Sequence, residues 1–144
     1  MSELEERFAE VLHGTARTWR QAIDRRLKHL GMSHASWMTI TVASKALTPL
    51  SQSELAERLG VEGATMVAMV DRLAKAGFIA RQACLSDRRI NHVVLTEAGH
   101  RLVEAVQNET AAVRRELLAT IDPAKLAIAT ELLETLQEVI ERSG

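Results

Sequence analysis

The residues with most chemistry to offer lie between Cys84 and Asn91. The run Leu85-Ser86-Asp87-Arg88-Arg89-Ile90-Asn91 places one carboxylate beside two guanidinium groups in a stretch of turn-forming residues. Adjacent arginines at a turn have no core to serve, so they face solvent or an anion. Phosphate suits their forked donors, and a narrow A·T-rich minor groove attracts arginine as well. Asp87 can pair with Arg89 and hold its direction. Cys84 is the only cysteine, which rules out a disulfide within the chain. A redox switch there, with Arg81 lowering the thiol pKa, is one reading, and a quiet structural thiol is the plainer one. His13, His29, His34, His92 and His100 are scattered without metal-ligand spacing, so no metal is expected. No phosphate-cradling glycine loop and no nucleophile motif appears. No catalytic residue and no cofactor are expected, and the chain does not read as an enzyme.

These groups need a scaffold. Phe78 to Cys84 alternates as a strand and His92 to Leu95 is β-branched and apolar, so the basic turn is the tip of a hairpin. Before it, Ser51 and Glu54 have capping-box spacing, Leu55, Ala56 and Leu59 share a face, and Gly60 ends a short helix. Val61, Glu62 and Gly63 make a turn. A second helix then runs to Ala76 with Met66, Val67, Met69, Val70 and Leu73 at helical spacing, and Gly77 ends it. Two helices across a short turn form a helix-turn-helix, whose second helix enters the major groove. The hairpin makes it winged. On the second helix Glu62, Gly63, Ala64, Thr65, Ala68 and Arg72 are the candidates for exposure. Backbone N–H groups near Gly63 can receive a phosphate, and Thr65 can bond a base or touch a thymine methyl. Plain helix surface is the alternative for Thr65 and Ala68. Ser51, Gln52, Arg81, Asp87, Arg88 and Arg89 complete the candidate DNA contacts.

The flanks read as helices. Phe8 to His29 keeps Phe8, Leu12, Trp19, Ile23 and Leu27 on one stripe, and Gly31 ends it. Ser33 caps a helix that reaches Leu47, where Thr48-Pro49-Leu50 breaks it. Thr96 caps a long helix to about Ala119, and Asp122-Pro123 starts a last one. The first and the last two helices carry apolar stripes that no sheet covers. They pack on one another or, as in most helix-turn-helix proteins, on a second copy, which sets half-sites about 34 Å apart. The expected class is mainly α with a small β-wing. A winged helix-turn-helix spans 33–96, and a helical dimerisation region spans 1–32 and 97–144. With 144 residues and 47% apolar content the chain can build one core. No apolar run approaches a membrane span, and the start is acidic and polar, so a cytoplasmic protein is expected. The net charge of −1 hides an asymmetry: cations dominate from Arg72 to Arg101, and acids dominate after Leu102.

Asp71-Arg72-Leu73, Lys75-Ala76-Gly77-Phe78-Ile79, Arg81, Ser86-Asp87-Arg88-Arg89 and Val94-Leu95-Thr96-Glu97-Ala98-Gly99 together resemble the MarR family of bacterial transcriptional regulators. Ala16-Arg17-Thr18-Trp19-Arg20, Ile23-Asp24-Arg25-Arg26-Leu27 and Trp37 resemble its SlyA-like branch. The resemblance implies a homodimer, interdigitated through its terminal helices, that represses transcription from a pseudo-palindromic operator in double-stranded DNA. It also implies a small aromatic carboxylate or phenolic ligand. Arg17, Arg20, Ser33, His34, Trp37, Thr41 and Met69 would frame the ligand cavity between the dimer helices and the DNA-binding unit. Trp37 would offer a flat wall and Arg17 a fork for a carboxylate. A core tryptophan and an interface ion pair are the structural alternatives. Relatives commonly carry arginine at the position of Ala68, so base reading there departs from the family pattern. A helical protein–protein adaptor built on the winged unit is the competing function.

Overall fold

The computed structural model describes residues 2–87 and 89–144. Helix α1 spans Ser2–Leu27 and continues into a 3-10 turn at Lys28–Leu30. It starts at Ser2 rather than Phe8 because good helix formers precede the apolar stripe. Glu3 and Glu5 in its first turn and Arg25 and Arg26 in its last also complement the helix dipole. Helix α2, His34–Lys45, begins at a reciprocal cap between Ser33 and Ser36. It stops short of Leu47, since the approach to Pro49 disfavours helical backbone.

Strand β1, Leu50–Ser51, pairs with β3, which periodicity did not foresee; two residues carry no period. Helix α3, Gln52–Leu59, has the expected capping box: Glu54 N donates to Ser51 Oγ and Ser51 N to Glu54 Oε1, each at 3.1 Å. The glutamate carboxyl is held below its usual pKa, first by the Ser51 N–H and then by the Ser51 hydroxyl. Gly60 ends α3 at φ 68°, where a Cβ would be strained. Helix α4 spans Gly63–Lys75, so Gly63 opens the helix instead of closing the turn.

Strands β2, Ile79–Ala83, and β3, Asn91–Leu95, form the wing, and the sheet order is β1-β3-β2, all antiparallel. Leu50 opposes Val93 and Ile79 opposes the half-buried Leu95, so apolar side chains meet on one face. Helix α5, Glu97–Leu118, is seated on the hairpin by Thr96. Its hydroxyl donates to the Gly77 carbonyl at 2.6 Å and accepts from Gly99 N at 3.1 Å. Gly99 lies so close to the Phe78 carbonyl that a Cβ would come within 2.0 Å of the oxygen. Helix α6, Pro123–Ser143, is capped by Asp122, which accepts from Ala124 N at 3.0 Å.

The chain divides into two compact units, Met1–Ala111 and Ala112–Gly144. The division falls inside α5, whereas the sequence suggests a functional boundary at its start. Within the first unit Leu27, Ile40, Leu55, Met66, Val70 and Val93 belong to one buried core that ties α1 to α4 and the sheet together. Among the described residues no helix is long and apolar enough to cross a membrane.

Candidate nucleic-acid interface

Helix α4 is the best-placed reading element. Met66, Met69, Val70 and Leu73 are buried and fix one face. Gly63, Ala64, Thr65, Ala68 and Arg72 are exposed on the other. Val67 joins them at 42% exposure, although its spacing reads as core. The signal that distinguishes it is the i, i+3, i+4, i+7 spacing of Met66, Met69, Val70 and Leu73, a face on which Val67, about 100° from Met66, does not lie. The N-cap residue Glu62 makes no side-chain capping bond, so the first amides of α4 are left to solvent or to an anion. Arg72 donates to Met69 Sδ at 3.8 Å, which lays its stem along the helix.

The wing steers its arginine. Asp87 accepts from Arg89 N at 3.0 Å, from Arg89 Nε at 3.2 Å and from the terminal nitrogen at 3.3 Å. Those bonds hold the Asp87 carboxyl below its usual range, the side-chain bond most of all. Asp87 is two-thirds covered while the Arg89 side chain is 90% exposed, so the pair orients the cation outward. Arg88 lies outside the described residues. Arg81 is engaged within the chain. It donates through Nε to Gln52 Oε1 at 2.8 Å and pairs with Asp71, tying β2 to the start of α3 and to α4. Gln52 is therefore engaged as a brace, and the Ser51 hydroxyl is engaged as a cap.

Arg81 thus points away from the role of tuning Cys84. The thiol is lowered in pKa, but the cause is hydrogen bonding with Ser86, at 3.1 Å between Sγ and Oγ, and with the Ser86 and Asp87 backbone. Among the described residues no cluster of three or more His, Cys, Asp or Glu could hold a metal ion.

The residues suggested for a ligand are brought together only in part. His34 and Trp37 meet edge to face, with ring centroids 5.1 Å apart. Both bond the same oxygen of Asp24 at 3.1 Å, His34 through Nδ1 and Trp37 through Nε1–H. Asp24 is a residue that sequence spacing could not single out, because its partners lie across the α1–α2 turn. His34 and Met69 line a cavity between α2 and α4, and Ser33 and Met69 line a second one beside Arg72. Arg17, Arg20, Trp37 and Thr41 line neither; Arg17 and Arg20 are exposed on α1.

Comparisons with known proteins agree with this geometry. The MarR family model matches residues 34–90. The solved transcriptional regulator PA3341 is 35% identical over 94% of this chain and 98% of its own, with a TM-score of 0.77. Wild-type MarR from E. coli in its apo form is 21% identical over 89% of this chain and 95% of its own, with a TM-score of 0.80. CouR from Rhodococcus jostii RHA1, solved with p-coumaroyl-CoA bound, is 22% identical over 94% and 93%, with a TM-score of 0.76. With its sequence motifs, its three-stranded wing and a relative matched along nearly its full length, the chain belongs to the MarR family of transcriptional regulators.

Proposed function

We propose that this regulator binds duplex DNA as a homodimer and acts as a repressor in the cytoplasm. Helix α4 enters the major groove, with Thr65 and Val67 facing bases, the α4 amides near Gly63 receiving a phosphate, and Arg72 on the backbone. The wing arginines, Arg88 and Arg89, reach an adjacent minor groove. The observation that carries this reading is the pairing of an uncapped α4 N-terminus with an arginine that Asp87 aims outward. Both are anion sites, and neither serves the core.

A second copy is called for by the apolar surface. On α1, Leu4, Phe8 and Val11 are exposed; on α6, Ile128, Leu132, Leu133, Val139 and Ile140 are exposed. Exposed apolar groups of that number mark interaction surfaces, and an isologous pairing would present two reading heads to a pseudo-palindrome. A small aromatic ligand, a carboxylate or a phenol, tunes the affinity. His34 of α2 and Met69 of α4 line one cavity, Trp37 shares the Asp24 oxygen with His34, and CouR bound to p-coumaroyl-CoA offers a precedent in the same fold. Fluorescence anisotropy on the DNA upstream of the protein's own coding sequence tests the proposal. Binding should weaken steeply as salt rises from about 50 to about 200 mM, as phosphate neutralisation requires. Salt-independent binding, or none, would favour the adaptor reading.

A further inference from the structure

Helix α4 has two faces of the same spacing. Met66, Met69, Val70 and Leu73 lie at i, i+3, i+4 and i+7 and are buried. Ala64, Val67, Ala68 and Asp71 repeat that spacing two residues earlier. At about 100° per residue this puts them on the opposite side of the helix. All four are exposed. A helix lying in the major groove presents such a line to the base edges.

The chemistry of that line is mostly methyl. From Gly63 to Val70 the helix carries no Lys, Arg, His, Asn or Gln, and Thr65 has the only hydroxyl. Bidentate reading of guanine needs Arg or Lys, and bidentate reading of adenine needs an amide. Neither is present in the first two turns. An aspartate accepts from the cytosine amino group, but the Asp71 carboxylate is already paired with Arg81. Arg72 stands to one side of the line and donates to Met69 Sδ at 3.8 Å, back along its own helix. What remains on the line is the methyl groups of Ala64 and Ala68 and the isopropyl group of Val67, which is 42% exposed. The apolar group that the major groove offers is the thymine C5 methyl.

We infer that α4 selects its half-site chiefly through thymine methyl groups, with Val67 as the main contact and Ala64 and Ala68 beside it. The inference rests on α4 being the helix in the groove, as proposed above, and adds what that helix reads. Small side chains at Ala64 and Ala68 let the helix backbone approach the bases, which brings Val67 to the groove floor. The wing favours the same base composition by a separate route. Arg89, which Asp87 orients outward, suits the narrow minor groove of A·T-rich DNA. A methyl contact is worth less than a good bidentate pair, so several thymines are read together.

Selection from a random duplex library by the whole protein supplies the site for the test. Its thymines are then replaced one at a time by uracil, which removes the methyl and keeps the hydrogen-bonding groups. Fluorescence anisotropy should reveal a short run of thymines in each half-site at which uracil weakens binding about 4-fold, the worth of one buried methyl-sized group. Changing the matched thymine in both half-sites should cost about 10-fold or more, and uracil elsewhere should change little. Val67→Ala should bind the thymine duplex about 4-fold more weakly and lose little further on the uracil duplex. A general defect in folding would weaken both duplexes alike, and an equal loss on both overturns the role of Val67. The uracil scan itself needs no variant. Uracil tolerated at every thymine, losses spread evenly along the duplex, or selected half-sites without thymine would each overturn methyl reading. So would a larger loss from 7-deazaguanine, which lacks the acceptor that a guanidinium reads, since Arg72 would then be the reader. All of these outcomes leave DNA binding intact. A protein that selects no duplex and binds none in a salt-dependent way overturns the function proposed above, and methyl reading with it.

Discussion

Helices α4 and α6 belong to one chain and use their apolar residues in opposite ways. In α4 four apolar side chains are buried, and the remaining face is free to present Thr65, Val67 and Arg72. In α6 no residue is buried, and Ile128, Leu132, Leu133, Val139 and Ile140 are exposed. An isolated helix of this length is marginal in water unless an apolar face is covered. The buried face of α4 is therefore covered within its own chain, and on the dimer proposed above α6 would gain its cover from the second copy. A regulator arranged this way can keep the geometry of each head fixed while the second copy sets the distance between heads.

The most severe way to break this comparison is to spoil α6. Leu133→Glu with Leu136→Glu would place charge in the proposed interface, which is strongly unfavourable. Light scattering should show a monomer at concentrations where the unmodified protein is a dimer. DNA affinity should fall by about 100-fold or more, since linked half-sites gain that much from simultaneous binding. A monomeric unmodified protein would defeat the dimer proposal outright.

Truncation inside the two helical regions sharpens the contrast. Leu55 is fully buried in the core of the first unit, so Leu55→Ala should cost about 2–5 kcal/mol at any protein concentration. Ile128 is exposed at 67%, and Ile128→Ala should act through association. Its effect on melting temperature should therefore grow or shrink with protein concentration, as linkage to a partner requires. Melting curves at two concentrations distinguish the cases, and a concentration-independent loss at Ile128 would place that side chain in a core of its own chain.

What the sequence revealed follows the same division between local and distant causes. The Ser51–Glu54 capping box, the ends at Gly60 and Gly77 and the Asp87–Arg89 pair are legible because the partners lie within three or four residues. The family motif from Leu95 to Gly99 is legible too, but its reason is not: Gly99 is required by the Phe78 carbonyl, far back in sequence. Strand β1 depends on His92 and Val93, Arg81 on Gln52 and Asp71, and His34 and Trp37 on Asp24. None of these has a period or a spacing rule. Val67 shows the limit from the other side: its apolar character counts it with the helical stripe, but it lies one residue beyond the i, i+3, i+4, i+7 face and is exposed.

Two arginines turn this distinction into a smaller test. Arg81 joins three elements, while among the described residues Arg89 pairs within its own turn. Arg81→Ala should lower the melting temperature by a few degrees, the scale of about 1 kcal/mol in a domain of this size. DNA affinity should drop through displacement of α4, with the salt slope little changed. Arg89→Ala should leave the melting temperature alone and weaken DNA binding. It should also flatten the salt slope by about one unit for each phosphate no longer neutralised. Equal effects of the two on the slope would assign Arg81 to the DNA after all.

The smallest expected effect is at the start of α3, where the capping carboxylate of Glu54 can be made non-titrating. The Ser51 N–H and hydroxyl favour the ionised form, so the folded-state pKa lies below that of the unfolded chain, about 4.3. A group shifted in that direction stabilises the fold above its unfolded pKa and loses its contribution as pH falls through the folded one. Glu54→Gln keeps an acceptor at the same reach, since glutamine serves in the same box, but removes the charge. The unmodified protein should melt slightly higher than Glu54→Gln at about pH 7, where the charged acceptor also faces the positive end of α3. That margin should narrow as pH falls below the unfolded value and vanish once it has passed through the lower folded-state pKa, when glutamic acid and glutamine offer comparable neutral groups. The other carboxylates titrate in both proteins, so the difference between the two melting curves isolates this cap. A margin that widened with acid, or stayed constant, would show that the Ser51–Glu54 bonds do not hold in solution, and with them would go the fixed start of α3 from which Gln52 reaches Arg81.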